Sequence, residues 1–243
     1  MTAVLRLLRA LVVGPLPLLM LVSAAGWAVV LWRGDGAGMS LLCGVGRPPV
    51  FGLDGRSFGA WLIMLAAMTP VLLAEPLGVV WSRTLARRRC DGAALFVAGY
   101  LAIWMAAGVG LTAVAVMITT AAGSSSLAAF ALAVAAAGLW RLTPAWRRCL
   151  ELCHLQPHLN AVGRSAGLSR LRYGADIGLW CVGACWPLML APLLAGRWHI
   201  QAMAAAYAVM LADRYLGPWP LSDVGTTVSS LIQRAAQPAR LAQ

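Results

Sequence analysis

The sequence predicts an all-α, polytopic transmembrane helix bundle of about six spans, with an amphipathic helix on the cytoplasmic side. Three observations predict it. Of 243 residues, 61% are hydrophobic and only 11% charged, whereas a soluble domain is nearer half apolar and a quarter charged. Mean hydropathy is +0.79. The apolar residues gather into runs close to the ~20 residues that a helix needs to cross the hydrocarbon core. One transmembrane domain over 1–220, followed by a cytoplasmic tail over 221–243, accounts for the length.

The elements follow in order. Arg6 and Arg9 precede an apolar run from Leu11 to Trp32, longer than the roughly 7–15 residue core of a signal peptide, so a retained span is expected over about 10–32. An outer loop over 33–57, rich in Gly and Pro, carries Met39 and Cys43. Spans two to four are expected near 58–81, 92–119 and 126–141. An inner segment over 142–173 opens with "TPAWRRCLELCHL", where Thr143 suits an N-cap and Pro144 the first helical position. Trp146, Leu150 and Cys153 share a face with Cys149 beside them, and Arg147, Arg148 and Glu151 point elsewhere. That pattern describes an interfacial amphipathic helix. Spans five and six are expected over 174–196 and 199–216.

Charge sets the orientation. The formal net charge is +11, and all 19 basic residues are arginine. No basic stripe with interleaved aromatics lies outside the spans, so no nucleic-acid partner is expected. With a cytoplasmic N-terminus, 15 arginines fall inside, and only Arg33, Arg47, Arg56 and Arg197 fall outside. The positive-inside rule favours this arrangement, with both termini cytoplasmic. Trp61, Trp81, Trp140, Trp180 and Trp198 fit an aromatic belt. Glu75 lies within span two, where a charge is costly and marks either a function or an ion pair with Arg83 or another inner arginine. Asp176 is placed to cap span five, and Asp213 to pair locally near Arg214.

Sulfur carries the chemistry. Cys149 and Cys153 are four residues apart on the amphipathic helix, and Cys181 and Cys185 are four apart on span five. Residues at i and i+4 share a helix face, so each pair can offer two sulfurs to one ion. Soft thiolate and thioether ligands select Cu(I) ahead of zinc and iron–sulfur clusters. A disulfide between helical i,i+4 cysteines is geometrically awkward. Met64 and Met68 in span two repeat the spacing, and Met189 stands four beyond Cys185. If spans two and five face each other, Met68 meets Cys185, and Met64 meets Met189, at matching depths. Small apolar filler is the alternative reading of all these residues. His154 and His158 are further ligand candidates. Pro187 removes one hydrogen bond from span five and gives a ligand shell room to adjust. No nucleotide loop, zinc-protease motif or nucleophile elbow is present, so a freestanding enzyme is not expected.

Three stretches, "WLIMLAAMTP", "LTPAWRRCLELC" and "GLWCVGACWPLM", resemble motifs of the predicted metal-binding integral membrane proteins of bacteria known as domain of unknown function 2182. The likeness covers roughly 55–215. It departs from the family pattern at Thr69, Arg141, Trp146 and Ala184. The resemblance implies a bacterial inner-membrane protein. It implies metal ligands at Cys149, Cys153, Cys181 and Cys185, with Met64, Met68 and Met189 secondary. The expected function is binding of a soft metal, Cu(I) foremost, for metal handling or metalloenzyme assembly. Its partners would be the lipid bilayer, other membrane proteins and a metalloenzyme client. Two alternatives stay open. One is a non-catalytic subunit of a larger membrane complex, suggested by the small-residue faces Ala128–Gly138 and Met203–Ala212. The other is a small-solute or proton-coupled transporter built around Glu75.

Overall fold

The computed structural model describes residues 15–34, 55–122, 126–154 and 164–216. Met39, Cys43, His158 and the tail over 221–243 lie outside the described residues. Within them all regular structure is helical: α1 (Leu16–Gly34), α2 (Gly55–Met68), α3 (Ala74–Ser82), α4 (Arg89–Ala122), α5 (Ser126–Arg141), α6 (Pro144–Leu152), α7 (Arg164–Leu194) and α8 (His199–Tyr215). Short 3₁₀ turns at Val71–Leu73, Ala86–Arg88 and Gly196–Trp198 join some of them.

The most extensive interface is α4 against α7. Glycines make it possible. A Cβ on Gly174 would collide with the Phe96 carbonyl, and one on Gly99 with the Leu171 carbonyl. Removing the side chain at such points lets two backbones approach, the usual route to tight helix pairs where solvent gives no hydrophobic push. Around the crossing lie the buried Phe96, Tyr100, Trp104, Tyr173 and Ile177, with the Phe96 and Tyr173 rings 5.3 Å apart. The bundle thus has an aromatic centre on two long helices.

The remaining helices pack around this pair. α1 lies on α2, where Gly26 faces the Ala66–Ala67 backbone and Ser23 Oγ donates to the Ala67 carbonyl at 2.6 Å. That carbonyl is at the end of α2, where helical partners run out. Trp61 is fully buried; its indole donates to the Trp104 carbonyl at 3.1 Å and its ring lies over Gly108. It is therefore a core anchor rather than the belt residue expected from sequence. α5, α6 and α8 each pack on α7.

The expected spans change in three ways. Span two is two helices, 58–68 and 71–82, bent by 57°. Pro70 lies at the break, and its missing N–H cannot continue the helical ladder. The expected fifth span begins ten residues earlier, at Arg164, so Asp176 sits inside α7 rather than capping it. The count also differs. Among the described residues, two helices, 86–121 and 166–194, are long and apolar enough to cross a membrane, or up to four if each bent pair is one span. The second bent pair is α5 and α6, which meet at 76°. Thr143 Oγ1 accepts from the Trp146 amide at 3.2 Å and Pro144 follows at the first helical position, the N-cap that the sequence indicated.

Candidate metal centre

α6 does not leave its apolar face bare. It lies on α7, with Trp146 and Cys153 buried. The contact is built on Gly183, where a Cβ would come within 2.8 Å of Cys149 Sγ. Gly183 stands between Cys181 and Cys185, so the two cysteine pairs meet there. A second effect fixes the same point. Pro187 lacks the N–H that would bond the carbonyl four residues earlier. That carbonyl is Gly183, and Trp140 Nε1 donates to it at 2.9 Å. The proline expected to loosen this helix thus frees an acceptor that ties α5 to α7.

A cavity of about 40 Å³ opens between these elements, room for an ion or a water or two. Cys153 at the C-cap of α6, Cys181 and Cys185 of α7 and Met210 of α8 line it, together with Tyr100, Arg141, Asp213 and Arg214. The Cys185 thiol donates to the Cys181 carbonyl at 2.9 Å. Tyr100 Oη donates to Cys181 Sγ at 3.5 Å. Burial pushes the Cys149 thiol above its usual range. It pushes the Cys153 thiol up further, with Cys181 adding to the rise and Arg214 pulling the other way. Both thiols therefore hold their protons at neutral pH until something displaces them.

The other sequence candidates lie elsewhere. Met64, Met68 and Met189 are buried in the apolar core and do not line the cavity. α2 packs on α1, while α7 packs on α4, and α2 and α7 share no extensive interface. The segment after α2 approaches the cysteines through Leu72 and Leu73 instead. Cys149 is seated on Gly183 rather than in the cavity lining. Cys90 is exposed. Among the described residues no three His, Cys, Asp or Glu side chains form a ready coordination set. The donors on offer are thiols and one thioether around a small space.

Charged groups rim the site. Arg141 and Asp213 form a two-pronged ion pair, both contacts at 2.6 Å. Asp213 therefore pairs across the bundle, not locally as the sequence suggested. The Arg141 guanidinium also lies 5.0 Å from the Trp146 ring centre. These two residues are both departures from the resembled motif, and they meet. Glu75 Oε2 is 3.2 Å from His154 Nδ1 and 3.8 Å from Arg214 Nη2, which places it in an ion-pair cluster joining α3, the turn after α6, and α8.

A family model described as PpoB2, copper chaperone, matches residues 58–232. The chain belongs to this family. Membership in PpoB2 makes it a non-catalytic metal-handling protein, as the lack of catalytic motifs led one to expect. The match includes all four paired cysteines and runs past the end of α8. No curated protein and no solved structure matches the chain.

Three contributors escaped the sequence reading: Met210, Arg214 and Gly183. Met203, Met210 and Arg214, at spacings of seven and four, share one face of α8, and that spacing was available to find them.

Proposed function

We propose that the protein binds Cu(I) between α6, α7 and α8 and passes it to a copper-requiring client protein. The observation that carries this reading is the convergence of Cys153 with Cys181, Cys185 and Met210 on one small cavity, in a chain of a copper-chaperone family. Soft donors of this kind favour Cu(I). Cys153 and Cys181 are the thiols that give up protons. Cys185 keeps its proton in the bond to the Cys181 carbonyl, and with Met210 it completes the sulfur surface. Cys149, against Gly183, is the neighbouring thiol through which copper enters or leaves. Met189, one turn beyond Cys185, and Met64 and Met68 of α2 are secondary thioethers deeper in the bundle.

The setting proposed is a bacterial inner membrane with both termini cytoplasmic. α4 and α7 are its long spans, while α1 and α8 make the shortest crossings. The arginine distribution supports this orientation. α6 then lies at the cytoplasmic surface, where thiols stay reduced.

Metal content of detergent-purified, reduced protein tests the reading. Near-stoichiometric copper is expected in the wild type, and its loss in a Cys149/Cys153/Cys181/Cys185→Ser variant. Equal, sub-stoichiometric copper in both would overturn it and favour a metal-free subunit of a larger membrane complex.

A further inference from the structure

The two long helices begin at the same end of the bundle. Contacts between them rise together along both chains: a Cβ on Gly92 would meet Arg170, one on Gly174 would meet Phe96, and one on Gly178 would meet Tyr100. So α4 and α7 run parallel, and their two positive helix ends lie on one side. Arginine crowds that side further. Arg87 and Arg88 are exposed in the turn before α4, and Arg172 is exposed on α7. Arg89 donates through Nε to the Thr84 carbonyl at 3.4 Å and lies 5.8 Å from the Trp81 ring centre. Arg170 is the decisive residue. It is only 4% exposed, yet among the described residues its Nε has no hydrogen-bond partner and no carboxylate pairs with it. Its stem lies against the start of α4, where a Cβ on Gly92 would come within 3.0 Å of Arg170 Cδ and 3.2 Å of Nε. Asp91, in the first turn of α4, is exposed and forms no ion pair with Arg170.

A buried cation left without an anion is costly. We infer that the starts of α4 and α7 seat the phosphodiester group of an anionic phospholipid, held by Arg170 from within and by Arg87 and Arg88 at the rim. Chemistry selects the phosphate: a guanidinium matches its oxygens two at a time, and a helix start favours the same charge. The surroundings select a lipid over a soluble anion. Leu85, Leu95 and Leu168 are exposed at this end. A Cβ on Gly167, beside Leu168, would lie 3.5 Å from Leu95 Cδ1, so apolar surface for acyl chains spans both helices next to the arginines. Basic pockets between spans on the cytoplasmic side suit anionic headgroups in this way. The inference goes beyond copper handling and shares with it only the membrane setting; none of these arginines lines the sulfur cavity.

The test counts retained lipid. Delipidated full-length protein in detergent is mixed with equal amounts of phosphatidylglycerol and phosphatidylcholine, and bound lipid is measured by native mass spectrometry. Near-stoichiometric phosphatidylglycerol, in preference to phosphatidylcholine, is expected in the wild type. Arg170→Gln is expected to lower that preference about tenfold, the scale of one hydrogen bond to a charged group. Arg148→Gln removes the same charge from an exposed site on α6 and is expected to leave the preference as it is. Because Arg170 is buried, its loss can also disturb the helix ends. Arg87→Gln/Arg88→Gln, exposed and outside the packed core, is therefore the second variant, expected to elute as wild type on gel filtration with the preference lowered severalfold. No preference in the wild type, or an equal fall in the Arg148 and Arg170 variants, overturns the inference, as does a preference unchanged in both the Arg170 and the rim variants. Inorganic phosphate that displaces phosphatidylglycerol at millimolar concentration makes the ligand a soluble anion and overturns the lipid assignment. Copper content, measured on the same samples, bears on the metal site alone.

Discussion

Gly174→Leu is expected to abolish the folded bundle. The α4–α7 crossing is the most extensive interface among the described residues, and Gly174 lies where even a single Cβ would meet the Phe96 carbonyl. Backbone cannot step aside as a flexible side chain can. The two helices must separate, which uncovers Phe96, Tyr100, Trp104 and Tyr173, all now buried. Overpacking of a well-filled core costs about 1–3 kcal/mol, and prying apart the central helix pair adds the lost packing of its neighbours. Gly110→Leu on α4 is the matched control, because nothing lies within 4 Å of its Cβ position. Thermal unfolding in detergent, followed by gel filtration, distinguishes them. Gly110→Leu is expected to elute as wild type, and Gly174→Leu to aggregate or fail to accumulate. Equal behaviour of the two would show that the α4–α7 contact is not the structural centre.

The second large effect concerns the corner between α5 and α6. Arg141→Met strips Asp213 of both its 2.6 Å contacts, leaving a carboxylate whose side chain is only 9% exposed. Breaking a buried pair by removing one partner costs about 3–5 kcal/mol. Arg141 is the last residue of α5 and lies over Trp146 in α6, so the loss loosens the helix that brings Cys153 to the cavity. Arg141→Met/Asp213→Leu is expected to recover much of the stability, since an apolar pair needs no compensation. Denaturation midpoints for the two single variants and the double give the coupling directly. Additive losses, with no recovery in the double, would mean that the pair does not hold this corner.

The helical class was legible because it rests on local pattern and composition. The N-cap at Thr143 and the i,i+4 cysteine pairs were legible for the same reason: each is a matter of spacing along one helix. What joined the pairs was not. That Cys149 rests on Gly183 depends on which face of α6 meets which face of α7, across a segment whose sequence fixes no docking angle. Asp213 illustrates the limit. Its neighbour in sequence is Arg214, yet it bonds Arg141, 72 positions away. The single span assigned to 58–81 hid the break at Pro70, because hydropathy averages across a bend. Met64 and Met68 had the right spacing but on a helix that packs against α1. Met210 shares a helix face with Met203 and Arg214 by spacing, but spacing along α8 does not say that this face meets the cysteines of α7.

The central helix pair also has a history in time. Tyr100 on α4 reaches Cys181 on α7 across 81 positions of sequence. At about 5–20 residues per second of synthesis, α4 waits roughly 4–16 s on the ribosome for the partner that covers its aromatic face. The glycine-lined crossing, the most extensive among the described residues, therefore cannot form until α7 is made, and during that interval other newly made helices compete for the same surface.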